Sequence, residues 1–162
     1  MKKLKIFAVI SVLMLALAGC GNSKEATEES IYSFSGESDE LRIINGIAVI
    51  GGENETLYGG ELEIKDGDFS GLKEYDMNYF VSDGGNKWTL MSMISADETG
   101  GTFEVKNQKV GMISGSVFSK EFDMNTFKNG LYFELTTIDK DGNTETYRVP
   151  MKVKEVISAI EE

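Results

Sequence analysis

Seven consecutive residues, Asp139-Lys140-Asp141-Gly142-Asn143-Thr144-Glu145, carry the sequence's clearest spacing for chemistry. Oxygen-bearing side chains fall at alternate positions, as at the start of a calcium-binding loop, with Asp139, Asp141 and Asn143 as first ligands. The template then fails, because the glycine comes too early and the place of the closing glutamate is held by Pro150. The same residues make a good tight turn, which outweighs the metal reading, and Asp66-Gly67-Asp68 has the same character. No metal and no other cofactor is expected.

The chain has no histidine, which removes Ser-His and Cys-His catalysis and histidine metal sites. Gly51-Gly52, Gly59-Gly60 and Gly100-Gly101 sit at strand ends and read as turn glycines, not as a phosphate-binding loop. Twenty-seven acidic residues can always form a pair, but a glycosidase needs two carboxyls at a fixed separation in a cleft. A thin β-sandwich rarely has one, so no enzyme is expected, and a small carboxylate hydrolase ranks last among the readings. Met77, Met91, Met93, Met112, Met124 and Met151 include enough thioethers for a soft-metal site. Strand register instead turns Met77, Met112 and Met151 inward as core filler. It turns Met91 and Met93 outward beside Phe80. Those three residues are either covered by another segment, the favoured reading, or exposed as a patch fit for a partner.

The elements that position these residues are short β-rich runs between Gly, Asn and Asp clusters, from Ile31 onward, with a single proline, Pro150. The first hairpin joins Tyr75–Ser82 to Lys87–Ser95 around Gly84-Gly85. It pairs Val81 with Trp88, Phe80 with Thr89 and Tyr79 with Leu90, which puts Trp88 inside and Met91 outside. The second joins Leu131–Ile138 to Thr144–Val153 through a three-residue loop with Gly142 left-handed. It pairs Leu135 with Tyr147, Phe133 with Val149 and Glu134 with Arg148. Pro150 lacks a ladder donor, which argues for a sheet edge. A third hairpin turns at Asn107-Gln108, pairing Val105 with Val110 and Phe103 with Met112. Further strands are expected over 31–35, 41–50 and 56–65. Residues 119–129 form a crossover or one helical turn, and the tail extends the last strand or forms a short helix. The class expected is all-β: an antiparallel, immunoglobulin-like two-sheet sandwich of about eight strands.

The chain opens MKKLKIFAVISVLMLALAGC: lysines, a short apolar run, then small residues before the only cysteine, Cys20. This is a secretory signal, too short for an ordinary spanning helix. Leu17-Ala18-Gly19-Cys20 resembles the lipobox of bacterial lipoproteins. The resemblance implies that the Cys20 thiol carries a diacylglycerol and that cleavage makes Cys20 the first residue. Residues 1–19 are then signal peptide, 20–30 lipidated cysteine and flexible tether, and 31–162 the β-domain. Losing residues 1–19 removes three lysines and no acid, leaving 13 basic and 27 acidic side chains, a net charge of −14. Such a surface disfavours nucleic acid and adsorption to anionic headgroups, so attachment rests on acyl chains.

Tyr32-Ser33-Phe34-Ser35-Gly36-Glu37-Ser38 resembles the opening of small lipoproteins of Gram-positive bacteria, where an aromatic-rich strand leads into Gly-Glu-Ser. Leu41 stands where those proteins carry tryptophan. The resemblance implies the fold and the address, and no activity. The expected protein is thus extracytoplasmic and lipid-anchored to the cell membrane. It is read as a non-catalytic module for an envelope protein or small ligand, with an inhibitor of an exported enzyme as the alternative.

Overall fold

The computed structural model describes residues 29–51, 54–96, 99–118 and 122–157. The signal segment, Cys20, most of the tether and the last five residues lie outside them. Among the described residues ten strands and one short helix follow in chain order. They are β1 (Ser30–Glu37), β2 (Leu41–Ile50), β3 (Glu55–Tyr58), β4 (Glu61–Ile64), β5 (Leu72–Ser82), β6 (Lys87–Ala96), β7 (Gln108–Lys109), β8 (Met112–Gly115), α1 (Met124–Gly130), β9 (Leu131–Asp139) and β10 (Thr144–Ile157). All strand pairs are antiparallel, in the order β6-β5-β9-β10-β1-β2-β3-β8, with β4 pairing β2 and β7. The class is therefore all-β and antiparallel, as alternation requires. The sheet is one continuous path, nearly closed on itself like a barrel. Among the described residues no helix is long and apolar enough to cross a membrane.

The long strand β10 joins the two halves. Residues 144–150 pair with β9, and residues 151–157 pair with β1. Pro150 stands at the change of partner, so its missing N–H is tolerated at a corner in the middle of the sheet, and the expected edge position is overturned. Gly36 makes that corner possible, since a Cβ there would lie 2.3 Å from the Pro150 carbonyl oxygen. The rest of Gly-Glu-Ser is equally structural. Glu37 pairs with Arg42 and Lys65, and the Ser38 hydroxyl accepts from Leu41 N–H at 3.2 Å, closing the β1–β2 turn. Leu41 is fully buried.

The second hairpin has the expected register throughout, with Leu135 opposite Tyr147, Glu134 opposite Arg148, and Gly142 at φ +84°. The first keeps its register only from Ser82–Lys87 to Phe80–Thr89. A β-bulge then intervenes, and Tyr79 faces Met91, not Leu90. Leu90 and Met91 both enter the core, Met91 only 4% exposed, while Trp88 is half-buried against Phe122. The expected outward Met91 is thus overturned.

The third hairpin does not form. Phe103 bridges Leu72, Val105 N–H donates to Phe69, and β7 pairs with β4. Val105 and Val110 are buried as expected, but against other strands, and Met112 is 56% exposed instead of inward. The expected 56–65 strand is split at Gly59-Gly60, where Gly60 takes φ +75°. Residues 124–130 supply the helical turn. Asp123 caps it, accepting from Thr126 N–H at 2.7 Å, and Phe127 is driven into the core beside Tyr32 and Phe118.

Candidate functional site

The β9–β10 tip and the Asp66–Ser70 turn enclose a polar cleft of about 350 Å³, lined by Asp68, Ser70, Leu72, Thr137, Asp139, Asn143, Glu145 and Tyr147. Local turn chemistry builds both walls. Asp68 accepts from Ser70 N–H at 3.0 Å. Asp139 Oδ1 accepts from Asp141 N–H at 2.8 Å and Asn143 N–H at 2.9 Å, and its Oδ2 accepts from Asn143 Nδ2 at 2.7 Å. Phe69 fixes the floor by packing edge-on against Tyr147 at 4.9 Å. The Tyr147 hydroxyl donates to Glu145.

These bonds set the electrostatics. The Ser70 hydroxyl and N–H hold the Asp68 carboxyl below its usual range, and the Asn143 side chain and N–H do the same for Asp139. The bond to Glu145, with burial, pushes the Tyr147 phenol up to about 12. In the cleft the Asp68 and Asp139 carboxylates are thus held ionised, beside a neutral phenol and hydroxyls. Of the three calcium candidates, Asp139 has both oxygens engaged by the turn, Asn143 is its partner, and Asp141 is exposed at the tip. Among the described residues no group of three acidic side chains is arranged to hold a metal ion.

Two other constellations lie on the outer face. Glu134 is buried, yet Arg148 meets its Oε2 at 2.7 Å and Lys87 its Oε1 at 2.9 Å. Burial pushes this carboxyl up, but the Arg148 and Lys87 bonds outweigh it and hold it below the usual value. Phe80 stacks on Tyr132 at 5.4 Å, with the Lys87 ammonium 4.0 Å above its ring. Phe80, Met91 and Met93 form no exposed patch, the alternative to the favoured cover. Phe80 is buried on the outer face, Met91 is in the core and Met93 packs partly buried against it, Met91 turned inward by the bulge and not covered from outside. A different apolar row is exposed. Ile47, Tyr58 and Met112 are directly opposite one another on β2, β3 and β8, beside a depression of about 360 Å³. A sequence signal for it existed, since β2 is apolar on both faces: Ile43 and Ala48 inside, Ile44 and Ile47 outside.

No protein-family model, no curated protein and no solved structure matches the chain. Sequence reasoning found Asp139, Asp141 and Asn143 but not Asp68, Glu145 or Tyr147 as their neighbours. The signal it had, the matching Asp-Gly turns at 66–68 and 139–142, did not say that the two turns face one cleft.

Proposed function

We propose that this chain is an extracytoplasmic lipoprotein, tethered through Cys20, whose β-domain is a non-catalytic binding module for a small polar ligand. The observation that carries the binding site is the cleft between Asp68 and Glu145. Its carboxylates, Ser70 and Thr137 suit a ligand that donates hydrogen bonds, hydroxyl- or amine-bearing. The two halves, facing each other across one core, are read as layers of an immunoglobulin-like sandwich that share β10. A hydrolase reading is disfavoured by the same cleft. A general acid needs a raised carboxyl, and the bonds to Asp68 and Asp139 act in the opposite direction.

Ligand binding is tested by titrating the protein with an amino sugar, a polyol and a diamine while following backbone amide resonances of the cleft. Asp68→Asn with Glu145→Gln should abolish any shifts seen at Tyr147 and Asn143. Absence of shifts with all three probes, or shifts that persist in the double variant, refutes the cleft. The anchor is tested separately. Cys20→Ala should move the protein out of the membrane fraction and abolish incorporation of a clickable fatty acid.

A further inference from the structure

β1, which follows the proposed tether, starts near a row of exposed apolar side chains. β1 begins at Ser30, ten residues after Cys20, and its first residues pair with Ile50 and Val49. Ten residues span at most about 35 Å, so an acylated Cys20 would keep this end of the domain close to the bilayer. In one line across the sheet follow Lys154, Ser33, Ile47, Tyr58 and Met112, each opposite the next. Tyr58 is 44% and Met112 56% exposed, and Val156 near the tether is 57% exposed. Single exposed apolar residues need no explanation, but a contiguous row does.

The charges around the row point the same way. Lys154 and Lys152 flank it on β10 and Lys109 on β7, all exposed. None of the three has an ion pair among the described residues, although Glu61 lies opposite Lys109. The neighbours of Lys152 and Lys154 on β1 are Ser35 and Ser33, not carboxylates. An otherwise acidic protein therefore carries unpaired cations beside aliphatic and aromatic side chains at its tethered end. Side chains of these types favour the headgroup region of a bilayer, tyrosine at the interface and lysine stems reaching to lipid phosphates. With a screening length of about 8 Å at physiological salt, only the near face decides the local interaction, not the net charge of the whole domain.

We infer that the Ile47–Tyr58–Met112 row, with Lys109, Lys152 and Lys154, docks on the surface of the bilayer that holds the lipid. The inference rests on the proposed acylation of Cys20, since contact this small needs the high effective concentration a tether gives. Docking would leave the cleft clear, because seven residues of β10 lie between Thr144 at the cleft end and Lys152, the nearer of the two β10 lysines.

The test uses the mature lipoprotein purified from membranes and reconstituted into phosphatidylcholine vesicles with a minor fraction of phosphatidylglycerol. Cys20 is the only native cysteine, so Met112→Cys or Ile94→Cys takes a single fluorophore; Ile94 is the control, 66% exposed on β6. Headgroup-bearing quenchers should quench the label at 112 several-fold more than the label at 94. Adding Lys152→Glu and Lys154→Glu should reduce that difference several-fold, whereas Lys73→Glu with Lys140→Glu should not. Vesicle flotation of the same samples separates the two failures. Protein that does not float overturns the acylation reading and the docking with it. Protein that floats with equal quenching at both positions overturns the docking alone. Label at 112 that self-quenches with rising protein density, without lipid quenching, assigns the row to a second copy of the chain instead.

Discussion

The two hairpins β9–β10 and β5–β6 are neighbours in one sheet, closed by similar turns, and they behave differently. At each tip an aspartate gathers the loop: Asp139 accepts from the N–H groups of Asp141 and Asn143, and Asp83 from those of Gly85 and Asn86. From there β9–β10 runs in unbroken register to Tyr132–Pro150, whereas β5–β6 slips by one residue at Leu90. The flanking ladders do not differ, since residues 144–150 of β10 pair only with β9 as β6 pairs only with β5. The difference lies in the residues: β10 alternates inward Tyr147 and Val149 with outward Arg148 and Pro150, whereas β6 places two apolar residues, Leu90 and Met91, in succession. An edge strand can insert a residue without breaking a second ladder, and the bulge turns both Leu90 and Met91 into the core. Extra apolar burial at one edge, at the expense of one ladder position, is the outcome.

Breaking the central hairpin should have the largest effect. Phe133 is fully buried between Tyr79 and the facing half of the core. Phe133→Ala should cost about 3–5 kcal/mol, a large part of the roughly 5–15 kcal/mol available to a domain of this size. Urea unfolding with unchanged slope is the measurement. Next comes Met91, which reports the bulge directly. Truncating a buried methionine costs about 2–5 kcal/mol, so Met91→Ser should lower stability by about 3 kcal/mol. An unbulged register predicts almost no loss, and a result within about 0.5 kcal/mol of the parent would favour it.

Glu134 ties the two hairpins together, with Lys87 on β6 and Arg148 on β10. Its carboxyl is held below the ordinary value of 4.5, so its contribution is present above that pH and lost as pH falls through the lowered value. Glu134→Gln should cost about 1.5 kcal/mol at pH 7 and leave a flatter acid limb in stability against pH. If the limb keeps its slope, the acid sensitivity belongs to other carboxylates. The smallest effect should be at the tips. Gly142 and Gly84 have φ of +84° and +92°, with open space where a Cβ would go. Alanine at either should therefore cost only the left-handed backbone penalty, about 1 kcal/mol, and equally in the two hairpins. Unequal losses would show that one tip is coupled to its strands and the other is not.

The sequence by itself determined the all-β class, the tips of the β5–β6 and β9–β10 hairpins, the β9–β10 register and the Glu134–Arg148 pair. Those features are short-range: a turn aspartate and a left-handed glycine fix the loop, and two-residue alternation carries the register outward from it. Asp139 was legible as a turn residue for the same reason. What only the tertiary structure decided involves chain far away. Residues 103–110 look like a hairpin by alternation, yet their donors find Phe69, Gly60 and β4, because those unpaired edges are what lies beside them. Pro150 requires a site where no ladder N–H is needed, and an edge and a corner meet that requirement equally until β1 is seen to take over at Met151. Val105 and Val110 were recognisable as inward-facing, but not what they face. Hydrophobic pattern fixes which side of a strand is buried, while the partner strand, the bulge and the meeting of the Asp68 and Asp139 turns in one cleft are set by how the whole sheet closes on its core.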